Sequence, residues 1–264
     1  MKIAMISANY FGRATGYRTS MDEWGAAERR VIERASLEEF DRICGDIAGA
    51  GFRHMELWMA HAFPKFMTPF LAEEMKAVWE RHELEVIGYS CSLGDPVKWP
   101  RWTRLCFEAC HMLGIKQIAS GLSPEGASAV YGLCQEYGIR VVVENHPEKH
   151  PEEIQRVIGD YGDWLGACVD TGWFATQGFP APEAIRQLKG QLMHVHLKDV
   201  REQGTHHSVP LRQGVADIAG CVDALREIGY EGTVSIEQES GDHDPTEDCA
   251  EGLRWLKQEL ELEP

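Results

Sequence analysis

Short apolar runs alternate with amphipathic helical patterns along the whole chain. Eight of these runs have the length of a β-strand, and most are apolar without a break, as expected for strands of a sheet that is covered on both faces. Prolines stand near the first turns of several predicted helices, and glycines end helices directly before strands. The pattern predicts strands near residues 2–8, 52–57, 84–90, 115–119, 139–144, 165–170, 191–197 and 232–237.

Strands that alternate with helices form parallel sheets joined by crossover helices. Eight such units can close into a barrel, and 264 residues match the roughly 250 that one barrel needs. We therefore predict an α/β fold of the (β/α)8 TIM barrel type, with a single domain over residues 1–264.

One connection is much longer than the others. About 27 residues, at about 9–35, separate the first strand from the first predicted helix, whereas such loops usually have about 2–6 residues. This long loop carries aromatic and basic residues and leaves the barrel at the carboxyl ends of the strands. Aromatic rings pack on the apolar faces of sugars. We expect a lid or pocket wall, with Tyr10 in contact with a polyol, although a surface excursion anchored by aromatics gives the same pattern.

The composition narrows the class of partner. The formal charge of −16 disfavours nucleic acid, because binding to phosphates depends on basic side chains. The 8 cysteines include no CxxC pair and lie mostly in apolar segments, which is typical of reduced core thiols. No run reaches the roughly 18 apolar residues of a membrane span, and the amino terminus does not resemble a secretory signal. We expect a soluble cytoplasmic protein whose partner is a small molecule, not a nucleic acid or a membrane.

Four of the predicted strands end in a side chain that binds metals. These are Glu144, Asp170, His196 and Glu237, at successive gaps of 26, 26 and 41 residues. The carboxyl ends of barrel strands open onto one face, where active sites of this architecture lie. Three carboxylates and one imidazole therefore predict a site for one divalent ion. Oxygen-rich ligation favours Mn²⁺, Mg²⁺ or Co²⁺, and Zn²⁺ is also compatible. His194 shares the inward side of its strand with His196 and should lie one layer deeper.

A metal held in this way polarises the carbonyl and adjacent hydroxyl of a ketose and acidifies the C–H between them. Glu144 and Glu237 lie three strands apart, so they can present carboxylates to the two faces of a planar enediolate. Return of the proton on the other face gives epimerisation, return at the neighbouring carbon gives isomerisation, and loss of a β-hydroxyl gives dehydration. The ligand set leaves these three reactions open.

The segments around the four ligands also resemble a known family. They are Val143–Pro147, Val169–Trp173, His194–Asp199 and Ser235–Glu239, and together with Gly51–Leu57 they resemble the sugar phosphate isomerase/epimerase family of xylose isomerase-like TIM barrels. The resemblance extends over most of the chain. It implies one catalytic divalent metal bound by Glu144, Asp170, His196 and Glu237, which we call the quartet. Glu144 and Glu237 would be the acid/base pair of a ketose 3-epimerase. It also implies a possible homo-oligomer.

Further residues are candidates for substrate binding. Lys198 matches a recurrent family motif and would stabilise enolate charge. His146 would act as an acid, a base or a hydroxyl partner, or would only shape the loop before a proline. Glu56 would face the pocket mouth and hold a hydroxyl, or form a plain salt bridge. Trp173 stands where epimerases of the family commonly have histidine, so the chain departs from that pattern.

Three alternative functions follow from the same segments. The run that contains Lys198 also resembles inosose dehydratases, which makes dehydration the second candidate. An endonuclease IV-like enzyme of the same superfamily would need a basic cleft and additional histidine ligands, which the charge of −16 opposes. A sugar-binding barrel without turnover would not require two opposed glutamates.

Overall fold

The computed structural model describes residues 1–261, so the last three residues of the predicted domain lie outside the described range. The strands are β1 (Lys2–Ile6), β2 (His54–Trp58), β3 (Glu85–Ser90), β4 (Gln117–Ser120), β5 (Arg140–Glu144), β6 (Leu165–Asp170), β7 (Leu192–Leu197), β8 (Asp199–Val200), β9 (Ser208–Val209) and β10 (Thr233–Ile236). The α-helices are α1 (Trp24–Arg34), α2 (Leu37–Gly49), α3 (Pro69–Arg81), α4 (Pro100–Met112), α5 (Pro124–Tyr137), α6 (Pro151–Ile158), α7 (Thr171–Gln177), α8 (Ala181–Gln187), α9 (Ile218–Glu227) and α10 (Thr246–Glu259).

Eight strands form a closed parallel barrel in the order β1-β10-β7-β6-β5-β4-β3-β2. Each of the eight predicted strands is confirmed to within two residues at either end. The continuous apolar runs account for this agreement, because side chains on both faces of a barrel strand are covered: Val141–Val143 and Leu165–Val169 are buried without exception. The predicted α/β barrel is therefore correct.

The connection after β1 is not a continuous loop, so that part of the prediction was wrong. It contains 3-10 segments at Ser7–Thr15 and Met21–Glu23, followed by α1. Within α1, Ala27 and Val31 are buried on one side of the helix. Because this apolar stripe has helical spacing, the segment folds as a helix against the barrel.

A small antiparallel pair, β8 with β9, extends from the end of β7 outside the barrel. Asp199 holds this region by accepting hydrogen bonds from the backbone N–H groups of Val200, Gly214 and Ala216 at 2.8–3.0 Å. The loop that follows the metal-ligand candidate of β7 is thereby fixed to the start of α9.

The state of the cysteines and the character of the helices were also predicted from the sequence. All 8 cysteines are buried and carry free thiols, as expected. No helix within residues 1–261 combines the length and the apolar character that crossing a bilayer requires.

Candidate metal centre and its cavity

The four predicted metal ligands lie together at the carboxyl end of the barrel. One donor atom from each of Glu144, Asp170, His196 and Glu237 lies within 4.8 Å of every other. All four side chains are buried, with exposed fractions between 0 and 6%. Ligand atoms lie about 2.0–2.2 Å from Mg²⁺ or Zn²⁺, which separates opposite ligands by about 4.4 Å. Small side-chain adjustments are therefore sufficient for all four to reach one ion.

The orientation of His196 is consistent with a cation at this point. Its Nδ1 lies 2.6 Å from Glu144 Oε1 and 3.0 Å from Glu237 Oε2. A neutral imidazole that donates from Nε2 directs the Nδ1 lone pair at these carboxylate oxygens, which is unfavourable unless a proton or a metal ion lies between them. Within residues 1–261, two buried carboxylate oxygens of the quartet, Asp170 Oδ2 and Glu237 Oε2, accept no hydrogen bond. The donor set fits a divalent cation.

The electrostatics of the quartet also indicate missing positive charge. Burial raises the pKa of the Asp170 carboxyl to about 7, and the charges of Glu237 and Glu144 act in the same direction. Lys198 opposes this rise without cancelling it. Crowded carboxylates in a low-dielectric interior repel one another, and a bound divalent ion removes that repulsion.

Glu56 lies beneath the quartet, not at the pocket mouth as predicted. Its side chain is fully buried, and its Oε2 accepts hydrogen bonds from His196 Nε2 at 3.0 Å, His194 Nε2 at 2.8 Å and Ser235 Oγ at 2.6 Å. The deeper position of His194 agrees with the prediction. A strand residue moves about 3.3 Å along the barrel axis per position, so a small error in strand register accounts for the wrong depth of Glu56.

Lys198 carries the positive charge nearest to the quartet. Its Nζ lies 2.7 Å from Glu237 Oε1, 2.7 Å from Glu239 Oε2 and 3.9 Å from Asp170 Oδ2. Burial acts to lower the pKa of Lys198, but these carboxylates outweigh it and hold that pKa well above its ordinary value. The ammonium group therefore stays charged and is compensated by its two nearest partners.

A cavity of about 570 Å³ opens above the quartet. His146 and Trp173, both candidates for substrate binding, line it, and His146 Nε2 lies 3.5 Å from Glu144 Oε2. The Trp173 ring packs against His146 and His206, with ring centroids 5.2 and 4.1 Å apart. Nothing in the local sequence around His206 singled it out, because it enters the cavity from the loop between β8 and β9.

The segment after β1 forms one wall of this cavity, as expected, but through α1. Trp24 and Glu28 of α1 line the cavity. Tyr10 does not: its ring is buried, its hydroxyl lies 2.9 Å from Thr246 Oγ1, and it borders a separate surface hollow with Arg13. The predicted contact between Tyr10 and substrate was wrong, because the backbone kinks at Tyr10 and directs the ring toward α10.

Two buried asparagines fix the backbone around the ligands. The Asn145 side chain donates to the Asp170 carbonyl at 3.0 Å and accepts from the Asp170 N–H at 2.8 Å. Asn9 makes the equivalent pair with the Ile236 carbonyl and the Gln238 N–H, at 3.1 and 2.8 Å, on either side of Glu237. Each asparagine satisfies backbone groups at a strand end, where the sheet ladder stops. No local pattern in the sequence predicts these roles, because each asparagine bonds to a strand end distant in the chain.

We expect Asn145→Ala to lower the free energy of unfolding by about 2 kcal/mol, because it leaves a buried N–H and a buried carbonyl without partners. For a chain of this size that corresponds to a fall in Tm of roughly 4–8 °C. Thermal denaturation followed by circular dichroism measures it. The control is Gln135→Ala, which removes an exposed amide and should change Tm by less than about 1 °C. Equal Tm values for the two variants would show that the hydrogen bonds between Asn145 and the Asp170 backbone do not stabilise the fold.

Three proteins are similar in sequence to this chain, over different shares of their length. It is 25% identical over 248 residues to 2-oxo-tetronate isomerase of Haemophilus influenzae, covering 80% of this chain and 90% of that protein. It is 33% identical over 95 residues to a putative L-ribulose-5-phosphate 3-epimerase of Shigella dysenteriae, covering 36% and 33%. It is 27% identical over 144 residues to an uncharacterised protein of Methanocaldococcus jannaschii, covering 51% and 47%. The chain thus spans about half the length of the Methanocaldococcus relative and about a third of the Shigella one.

Solved structures share the whole barrel. The D-allulose 3-epimerase of Methylomonas sp. in complex with D-allulose has a TM-score of 0.74 at 14% identity, covering 98% of this chain and 97% of that one. A probable 3-DHS dehydratase from Bacillus anthracis has a TM-score of 0.72 at 15% identity, covering 97% and 99%. The IOLI protein, solved with a zinc atom, has a TM-score of 0.68 at 17% identity, covering 98% of each chain. At these identities the likeness establishes the fold.

A match to a family model establishes the family of this chain, and that family agrees with the resemblance seen in the sequence. The family model for the xylose isomerase-like TIM barrel matches residues 44–259, which is most of the chain and includes all four quartet residues. The protein belongs to the xylose isomerase-like TIM barrel family.

Proposed function

We propose that the protein is a divalent-metal-dependent isomerase or epimerase of a ketose or a related polyol ketone, with Glu144 and Glu237 as its acid/base pair. The observation that carries the proposal is the arrangement of these two glutamates. They extend from strands three apart in the barrel, and each has one oxygen beside Nδ1 of His196. Their other oxygens have different neighbours, His146 Nε2 for Glu144 and Lys198 Nζ for Glu237.

The residues of the quartet would hold one divalent ion. When bound, that ion supplies a Lewis acid that lowers the pKa of a C–H next to a carbonyl. The oxygen-rich donor set favours Mn²⁺, Mg²⁺ or Co²⁺ over ions that prefer sulfur, and Zn²⁺ remains compatible. Further support comes from the relatives named as isomerase and epimerase.

The chain's own groups account for the proton transfers. One glutamate removes the proton from the carbon beside the carbonyl, and the other returns a proton to the opposite face of the planar enediolate. Both carboxylates are only 5–6% exposed, which limits their contact with bulk water. The ammonium of Lys198 compensates the charge of Glu237 and keeps that carboxylate ionised, since it lowers the pKa of Glu237 against the effect of burial.

Dehydration is the second candidate, and the position of His146 favours it. Expulsion of a β-hydroxyl from the same enediolate needs a proton donor in the cavity. The imidazole of His146 lines the cavity beside Glu144 and is partly exposed, so it can reach such a hydroxyl. The product of the reaction distinguishes the two candidates.

The experiment is proton NMR in D₂O with ketopentoses, ketohexoses and inososes, using Mn²⁺-loaded protein and protein stripped by a chelator. We expect deuterium to enter the carbon beside the carbonyl at least about 100-fold faster with the metal-loaded sample. Addition of Mn²⁺ to the stripped sample should restore the rate. No exchange by a fully loaded sample across the panel, or equal rates after stripping, would overturn the proposal.

A further inference from the structure

The charged groups in the outer part of the cavity are predominantly acidic. Glu28 from α1 and Glu239 from the segment after β10 line this region. Among the described residues that line the cavity, Lys198 is the single lysine or arginine, and its ammonium already has two carboxylate partners at 2.7 Å. No lysine or arginine among these residues is therefore free to receive an anion.

Glu239 is held rigidly in this position. One of its oxygens lies 2.7 Å from Lys198 Nζ, and the other accepts a hydrogen bond from Trp24 Nε1 at 2.8 Å. Glu239 is buried, with an exposed fraction of 8%. Because both oxygens are engaged, the carboxylate cannot rotate away from an incoming ligand.

Glu28 adds a second negative charge, which the charge of Arg29 offsets only in part. Burial raises the pKa of Glu28, and the charge of Glu239 raises it further. The region thus already disfavours the negative charge that it contains. A phosphate dianion placed there would meet like charges in a partly desolvated space, where Coulomb repulsion is much stronger than in water.

The uncharged part of the wall combines aromatic and apolar side chains with the hydroxyl groups of Ser90, Ser92 and Ser120. The Trp24 and Trp58 rings lie with centroids 5.5 Å apart and planes inclined by 56°, and Met59 lies on the same side of the cavity. The aromatic part of such a surface packs against the C–H face of a sugar, and its hydroxyl groups hydrogen-bond to sugar hydroxyls, without a fixed positive charge that would compensate an ester phosphate.

We infer that the cavity selects uncharged ketoses or polyol ketones and rejects their phosphate esters, with Glu28 and Glu239 as the specificity-determining residues. This inference rests on the proposed function, since it concerns the substrate of the same site. It predicts that kcat/KM for a free ketose exceeds that for its terminal phosphate ester by at least about tenfold.

The test uses Mn²⁺-loaded protein and two matched pairs, L-ribulose with L-ribulose 5-phosphate and D-allulose with D-allulose 6-phosphate. Turnover is followed by deuterium uptake, and binding by calorimetry. Faster turnover and tighter binding of the free sugars support the inference, whereas equal or better values for the esters overturn it. Absence of turnover with both members of each pair would count against the proposed function, and the calorimetric ratio would still decide the selectivity.

A pair of charge-matched variants separates local charge from net charge. Glu28→Lys should raise kcat/KM or affinity for the phosphate esters by about tenfold relative to the free sugars, because it replaces repulsion with attraction. Glu33→Lys changes the net charge equally, but Glu33 is exposed on the same helix and does not line the cavity. Glu33→Lys should leave the ratio unchanged, and an equal shift in both variants would overturn the local assignment.

Discussion

Glu237→Gln is expected to lower kcat by about a thousandfold while leaving the barrel folded. The substitution removes a proton-transferring carboxylate, and general acid–base groups contribute about 10²–10⁴ in rate. It also replaces a charged metal ligand with a neutral amide of the same shape. Lys198 keeps its partner Glu239, so the variant does not leave a buried ammonium group without a carboxylate.

Turnover of Glu237→Gln should be measured at saturating Mn²⁺, so that weaker metal binding is not mistaken for lost chemistry. Circular dichroism and thermal denaturation establish that the variant is folded. The comparison is Glu239→Gln, which removes the other carboxylate partner of Lys198 without changing the quartet, and which should lose far less activity. A kcat for Glu237→Gln within about tenfold of the unmodified protein would refute its assignment as acid or base.

The quartet could be predicted because it obeys local rules. A residue at the carboxyl end of a barrel strand faces the site whenever the strand's period-two pattern is correctly assigned. The runs that end in Glu144 and Asp170 are continuous and apolar, so their ends are unambiguous. His194 and His196 differ by two positions, which fixed both their common direction and their relative depth.

The cavity walls depend on contacts that no local pattern records. Trp24 meets Glu239 across more than 200 positions, and the loop that carries His206 returns to Trp173 only because β8 and β9 pair. Tyr10 illustrates an error in the direction of a side chain. Its position after the first strand was correctly predicted, but a single kinked residue decides which way the ring points.

The helical character of α1 was present in the sequence. Trp24, Ala27 and Val31 follow the spacing of a helix face, and Ala27 and Val31 are buried in the structure. The segment Ser7–Thr15, earlier in the same connection, folds as a 3-10 segment with a kink at Tyr10. The connection predicted as a loop therefore contains a helix, and this helix carries the carboxylate of Glu28 that lines the cavity.

Glu56→Gln is expected to weaken metal binding by about 10–100-fold, although Glu56 lies below the quartet. The Glu56 carboxylate accepts a hydrogen bond from His196 Nε2, which favours the tautomer whose Nδ1 can bind a metal ion. A neutral amide is a weaker acceptor, and its NH₂ group can turn toward the imidazole and force the proton onto Nδ1. In that tautomer His196 cannot act as a ligand.

Calorimetric titration with Mn²⁺ gives the affinity, and the visible spectrum of the Co²⁺-loaded protein reports whether the nitrogen ligand is still present. Ser235→Ala serves as the control, because it removes one donor to Glu56 Oε2 but leaves the bond to His196 intact. We expect its Kd to change by less than about threefold, since the tautomer of His196 is preserved. If Glu56→Gln bound Mn²⁺ as tightly as Ser235→Ala, with an unchanged Co²⁺ spectrum, the carboxylate would be a packing element only. A selective loss in Glu56→Gln would mean that the layer beneath the quartet sets the tautomer of its single nitrogen ligand.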